Sequence, residues 1–337
     1  VSDRRTEASR ARRRPRVRTL IGCAVLVVGA IVAGSLTGVA SAAPAPAPHD
    51  AARSASTCGG PSMRPGATIT RSVTVNGLVR TYRVHVPRTY TGRQRVPMIL
   101  AFHGHAERGA TFERYTGLSA LPAVVVYPDG LRGTDHRFSW QGAPYSSPRA
   151  DDVAFTRAIL RAMAATACVD RARTYAVGRS NGGGMVALLA CRMPAGFAGF
   201  ATVSAAVYSR SATGCGHGPP ISLIDFHGTA DRVIGYDGGT RYGERYLSSS
   251  AWLQRWVDRA GCVDAPVILP VNQVVDTVTW PLCRGTGHPV VHYRIRGGSH
   301  RWPGSTGNRA AGSISDTISA TELIWQFFRT APRLGSS

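Results

Sequence analysis

The five residues Gly178-Arg179-Ser180-Asn181-Gly182 constrain this chain more than any other segment. Before them stands Thr174-Tyr175-Ala176-Val177, a β-rich run, and after them a helical run from Gly182 to Cys191. Small residues on both sides permit a turn too tight for larger side chains, and such a turn lifts the Ser180 hydroxyl above the end of a sheet. The helix that begins there aims unpaired N–H groups at the same point. The five-residue pattern alone also fits a plain glycine-rich turn; the strand before it and the helix after it are what make it a nucleophile elbow.

The rest of the chain supplies a sheet to carry that turn. Arg71 to Val75 and Val79 to Val86 are β-rich runs around Asn76-Gly77, a hairpin signal. Apolar runs at Met98 to Phe102 and Ala123 to Tyr127 fit buried strands, and further strands are expected at Phe200 to Val203, Ile221 to Phe226 and Val290 to Ile295. Helical patterns cover Asp152 to Ala167 and about Ile318 to Phe328. Asp151-Asp152, at the start of the first of these, suits capping of free N–H groups. Strands alternating with helices predict an α/β protein with a mostly parallel central sheet flanked by helices. With 337 residues, 43% of them hydrophobic, the chain can bury a full core.

A serine hydroxyl is a weak nucleophile until a base takes its proton, so the elbow requires a histidine held by a carboxylate. After such an elbow the acid comes next in the chain and the histidine last. Asp231 lies in the loop just past the strand that ends at Phe226, whereas Asp225 falls within that strand and Asp237 in a glycine-rich loop, which makes both poorer acids. His300 lies in Gly297-Gly298-Ser299-His300-Arg301-Trp302-Pro303-Gly304, directly after the last strand, while His292 is inside the strand and His288 precedes it. Two backbone N–H groups should converge on the developing oxyanion: that of Asn181, next after the nucleophile, and that of His105 in His103-Gly104-His105. His103 and His105, as alternate residues, could ligate a metal, but their loop already has a role at the oxyanion, so no metal is expected there, and the chemistry needs no cofactor. Trp140 and Trp302 are candidates for an apolar or stacking surface at the mouth of the site, or for packing.

The 40 basic residues are all arginine and face 19 acidic ones, for a net charge of +21. The absence of lysine excludes Schiff-base chemistry and a phosphate-loop lysine. Beyond the head of the chain the arginines are scattered singly, without interleaved aromatics, which argues against a nucleic-acid face. Residues 1–18 hold eight arginines and residues 19–40 carry no charge; Ala40-Ser41-Ala42 then provides small residues around a cleavage point. Residues 1–42 are accordingly expected to be an export signal, residues 43–66 a Pro/Ala-rich linker, residues 67–332 the catalytic domain and 333–337 a tail. After cleavage no membrane contact is expected; left uncleaved, residues 19–40 would be long enough to anchor the chain. Leu20-Ile21-Gly22-Cys23 precedes the apolar run, which is the wrong order for lipidation. Beyond Cys23 stand Cys58, Cys168, Cys191, Cys215, Cys262 and Cys283, an even number suited to disulfides in an exported chain. Cys262 with Cys283, flanking a short Val-rich segment, is the first pair expected, and Cys191 with Cys215 the second.

With these motifs in place the chain resembles the secreted esterases of the polyhydroxybutyrate depolymerase and feruloyl or acetylxylan esterase family, a branch of the α/β-hydrolases. The resemblance covers about Ser72 to Phe328 and rests on Arg80-Thr81-Tyr82-Arg83-Val84, His103-Gly104, Tyr127-Pro128-Asp129-Gly130, Asp151-Asp152-Val153, Gly178 to Gly183, His227 to Asp231 and His300 to Gly304. It implies Ser180 as nucleophile, Asp231 as acid, His300 as base and His105 as oxyanion donor, acting on ester substrates. The chain departs from the family at His105-Ala106-Glu107-Arg108, where a glycine-rich stretch is common. No surface-binding module is expected after Phe328, and soluble short-chain, hydroxyalkanoate or aryl esters are expected to be better substrates than insoluble polymer. Two other functions fit the same letters: an exported acyltransferase on this fold, and a non-catalytic wall-associated binding protein.

Overall fold

The computed structural model describes residues 63–262, 265–280, 283, 287–305 and 314–332. The expected signal, Cys23, Cys58, most of the linker and the tail lie outside them. Of the two compact units into which the chain divides, 1–53 and 54–337, every described residue belongs to the second.

The chain enters through β1 (Thr68–Val75) and β2 (Leu78–His85), an antiparallel hairpin closed by Asn76 and Gly77. Both turn residues have positive φ, 49° and 73°, as a tight hairpin turn requires. Then follow β3 (Val96–Phe102), α1 (Gly109–Thr116), β4 (Val124–Pro128) and a minor hairpin of β5 (Leu131–Arg132) with β6 (Phe138–Ser139). Next come α2 (Asp152–Thr166), β7 (Val169–Arg179), α3 (Asn181–Arg192), β8 (Gly199–Val203) and β9 (Leu223–Gly228). An arm of β10 (Gly239–Arg241) and β11 (Glu244–Tyr246) precedes α4 (Ser249–Arg259). The chain closes with β12 (Val267–Pro270), β13 (Val275–Thr279), β14 (Val290–Ile295) and α5 (Ala320–Thr330).

Ten strands form one sheet in the order β1-β2-β4-β3-β7-β8-β9-β14-β13-β12. The inner run from β4 to β14 is parallel throughout, and the outer strands on both sides are antiparallel. A strand covered on both faces has no polar side to show, which is why Met98 to Phe102 is an unbroken apolar run. Met98, Leu100 and Phe102 join the core under α2, α3 and α4, with Phe155, Leu188 and Trp256. Ile99 and Ala101 point the other way, into the core with Phe112 of α1 and Phe328 of α5. The fold is therefore the expected mostly parallel sheet flanked by helices.

From β3 the chain moves outward to β4 and then crosses back to β7 on the other side of β3. Such a reversal leaves a crevice beyond the carboxyl ends of the strands, where ligands bind in open α/β sheets. Three differences from the expectations bear on the site. The strand that carries the elbow is eleven residues long, Val169–Arg179. The strand expected at Ile221 to Phe226 runs from Leu223 to Gly228, so Asp231 is only three residues beyond its end. The arm and α4 fill a stretch in which no element is expected.

Two disulfides join Cys191 at the end of α3 to Cys215 and Cys262 to Cys283, and Cys168 is also disulfide-bonded. Asp151 caps α2 by accepting from the Ala154 N–H at 2.9 Å. Asp152 does more than cap: it is fully buried, with Arg80 Nη2 at 2.7 Å on one oxygen and the Gln141 N–H at 2.7 Å on the other.

Candidate active site

Ser180 is the first residue past β7, with φ 56° and ψ −121°. A side chain other than glycine at such a φ costs on the order of 1–3 kcal/mol and persists only where neighbours over-determine it. They do so here: the Ser180 N–H donates to the Val203 carbonyl at 2.9 Å, and its own carbonyl accepts from Gly184 at 3.1 Å and Ala206 at 2.9 Å. The flanking glycines are required by close approach. A Cβ on Gly178 would stand 2.2 Å from the Gly182 carbonyl oxygen, and one on Gly182 would stand 2.0 Å from that of Phe102.

Ser180, His105 and His300 line one cavity of about 190 Å³ at the carboxyl ends of the strands. His300 Nδ1 donates to Asp231 Oδ2 at 2.7 Å, a tautomer that leaves Nε2 as the acceptor. The Asp231 carboxylate is buried and fully engaged, with Oδ1 taking the N–H groups of Val233 at 2.8 Å and Ile234 at 2.9 Å. Burial alone would raise its pKa, but hydrogen bonds from His227 and His300 outweigh that and hold it well below the usual carboxylate range. His300 moves down from the ordinary imidazole value because burial disfavours its cation; Asp231 opposes this and Arg179 adds to it. His300 is thus neutral, and Asp231 charged, near neutral pH.

The backbone at the other side of the cavity is fixed by the loop after β3. The Ala106 N–H is used on the Phe138 carbonyl at 2.9 Å, and the Glu107 N–H on Gly104 at 3.2 Å. The His105 N–H makes no hydrogen bond among the described residues. Asn181 opens α3, where helix geometry leaves its N–H without an intrahelical acceptor, and its Oδ1 is occupied by the Trp140 N–H at 2.8 Å. His103 is a buried strut: Nδ1 donates to the Gly104 carbonyl at 2.7 Å and Nε2 accepts from Gly130 at 3.0 Å, which leaves neither nitrogen for a metal.

Of the two roles open to Trp140 and Trp302, lining the mouth or packing, the structure shows packing. Trp140 is 0% exposed, packed edge-on against Phe102 and donating Nε1 to the His103 carbonyl at 2.8 Å. Trp302 is 2% exposed, against Phe112, with Nε1 on Thr321 Oγ1 at 3.0 Å. Their indole N–H groups reach acceptors inside the fold, so both are packing residues. The aromatic wall is built instead by Tyr145, Tyr208 and Tyr242.

Three further residues escape the sequence reading. Arg179, the variable position of the elbow, donates to the His300 carbonyl at 2.7 Å and to Glu107 Oε1 at 2.9 Å, so it ties the base's loop to the loop after β3. Glu107 in turn holds the Gly104 N–H at 3.1 Å. His227 Nε2 lies 2.8 Å from the Ile234 carbonyl and 3.3 Å from Asp231 Oδ2, with Ser249 Oγ 3.0 Å from Nδ1, which steadies the acid from behind. Only His227 carried a signal, as part of His227-Gly228-Thr229-Ala230-Asp231.

Residues 81–226 match the family model described as Esterase PHB depolymerase. "Putative esterase NocK" of Nocardia uniformis subsp. tsuyamanensis is 30% identical over 325 residues, covering 86% of this chain and 90% of that protein. Feruloyl esterase C of Emericella nidulans is 27% identical, covering 78% of this chain and 88% of its own. Among solved structures, acetyl xylan esterase from Aspergillus awamori superposes with a TM-score of 0.51 at 13% identity, over 78% of this chain and all of that one, a likeness of fold. With a relative of that identity aligned along nearly its whole length, and the family model spanning the elbow, the chain belongs to the esterase PHB depolymerase family.

Proposed function

We propose that the chain is an exported serine carboxylic ester hydrolase that works through an acyl-enzyme on short-chain, hydroxyalkanoate or aryl esters of the feruloyl type. Ser180 Oγ attacks the ester carbonyl while His300 Nε2 takes its proton. The N–H groups of His105 and Asn181 hold the oxyanion that forms. The imidazolium, stabilised by the Asp231 carboxylate, then protonates the departing alcohol. In the second half-reaction His300 takes a proton from water as the water oxygen attacks the acyl carbon, and returns it to Ser180 as the acid leaves.

One observation carries this reading: a 2.7 Å His300–Asp231 pair whose imidazole lines the same cavity as Ser180, itself held on a strained turn. The name of the Emericella nidulans relative supports the aryl side of the substrate range. Disulfides at Cys191–Cys215 and Cys262–Cys283 support an oxidising compartment. Among the described residues no helix is long and apolar enough to cross a membrane. The test is hydrolysis of 4-nitrophenyl butyrate and methyl ferulate by the purified chain. Turnover that disappears in Ser180→Ala supports the reading, and turnover that survives it overturns the reading.

A further inference from the structure

The arm of β10 and β11 brings to the cavity a cation that no carboxylate answers among the described residues. Arg241 lines the cavity with Ser180 and His300. The other charged side chains around it are already matched. Glu107 is held by Arg179 at 2.9 Å and by the Tyr115 hydroxyl at 3.0 Å, and Asp135 accepts from His105 Nε2 at 2.7 Å. Arg241 is half-buried; among the described residues its guanidinium makes one hydrogen bond, a long one of 3.4 Å from Nη1 to the Val233 carbonyl, and lies over the Tyr242 ring at 5.2 Å from its centroid. No carboxylate lies within salt-bridge distance of it among the described residues. The natural candidate is Glu244, its register partner across the arm, but Glu244 is taken by Arg210 at 2.6 Å.

The arm is fixed rather than loose. The Tyr246 hydroxyl accepts from the Gly235 N–H at 2.9 Å, and Leu247 N–H donates to Val207 at 2.9 Å. At its tip Tyr242 adopts φ 52° and packs edge-on against Tyr145 at 4.7 Å and His105 at 5.9 Å. The arm therefore touches the residue whose N–H is assigned to the oxyanion, and Arg241 sits one residue back from that contact.

We propose that Arg241 is an anion subsite that selects esters carrying a carboxylate a few bonds from the scissile linkage. A guanidinium presents a planar fork of donors that matches a carboxylate, and in a small, half-buried cavity such a pair is stronger than in open water. The proposal rests on the esterase reading and adds the charge of the substrate to it. Neutral esters enter the same cavity but leave the guanidinium unanswered.

The experiment compares kcat/KM within two matched pairs. Mono-4-nitrophenyl adipate against 4-nitrophenyl hexanoate places the charge on the acyl side. The linear dimer of 3-hydroxybutyrate as free acid against its methyl ester places it on the alcohol side. The wild type is expected to favour the charged member of at least one pair by roughly tenfold, and Arg241→Gln to remove most of that preference. Arg245→Gln, which takes the same charge from an exposed position on β11, controls for the field of a protein with net charge +21 and is expected to move the ratio by less than about twofold. No preference in either pair, or a preference lowered equally by both variants, overturns the subsite while leaving the esterase reading intact. Failure of the wild type to hydrolyse any of the four overturns the esterase reading and the subsite with it.

Discussion

Two His–Asp pairs bridge β9 and β14, and they differ in what lies beyond the imidazole. His292 and Asp225 are register partners inside the sheet, with Nδ1 to Oδ2 at 2.8 Å. The far side of His292 is closed by the Tyr236 hydroxyl at 2.8 Å from Nε2, and the second Asp225 oxygen accepts from Thr202 Oγ1. Each polar atom of that pair is answered within the fold, and both residues are about 1% exposed. His300 and Asp231 make the same contact at 2.7 Å from loops past the ends of the same two strands, but His300 faces the cavity that holds Ser180. A carboxylate on one imidazole nitrogen is common to both pairs. On the proposed function, what separates the catalytic pair from the structural one is position relative to the strand ends, where an open α/β sheet binds its ligands.

The strongest way to break this comparison is at the nucleophile. Ser180→Ala should lower kcat by about 10⁴–10⁶ while leaving the melting temperature close to that of the wild type, measured with an aryl ester and by thermal unfolding. A loss of less than tenfold would remove Ser180 from its role. Next in size is the contrast between the acids. Asp231→Asn should cost about 10³–10⁴ in kcat, because the imidazole loses both its orientation and its counter-charge. Asp225→Asn should leave turnover per folded molecule within a few-fold, and instead cost about 1–3 kcal/mol of stability, since one of the two buried oxygens that accept from Thr202 and His292 becomes a donor. Equal damage to turnover from both changes would erase the distinction.

The pH profile sharpens it. Neutral imidazole is the active form, and burial together with the Arg179 cation pushes the His300 pKa down against the pull of Asp231. Activity should therefore be full above that pKa and fall as pH drops through it, with the acid limb of kcat/KM below the ordinary imidazole value of about 6.5. Asp231, held far lower, stays charged across that range. An acid limb above pH 7 would contradict the geometry. The smallest expected effect follows from the same interaction: Arg179→Met removes the cation beside His300, so the limb should move upward by a few tenths of a unit. A shift toward lower pH would show that Arg179 acts on the base in some other way.

The sheet and the elbow were legible because their signals are local. Asn76-Gly77 between β-rich runs is a hairpin wherever it occurs, and Gly178 to Gly182 carries its own strand and helix. The pairing of Asp231 with His300 followed from the order of elements, each lying in the loop after a recognisable strand. The helix α4 was legible too, since Trp252, Leu253, Trp256 and Val257 repeat at helical spacing behind the Ser248 cap, although no helix was expected there. The cavity walls were not legible. Tyr145, Tyr208 and Tyr242 come from three loops whose meeting depends on the whole fold, while Trp140 and Trp302, close in sequence to site segments, turn inward to acceptors far along the chain. Arg179 shows the same limit: a variable letter inside a strong motif became the link between two loops only after folding.

Labelling with a serine-directed fluorophosphonate, followed by peptide mapping, tests the central claim most directly. The account predicts one adduct, on Ser180, that forms rapidly in the wild type and in His292→Gln and is slowed by several orders of magnitude in His300→Ala. An adduct on another residue, or labelling of Ser180 as fast without His300 as with it, would contradict the account.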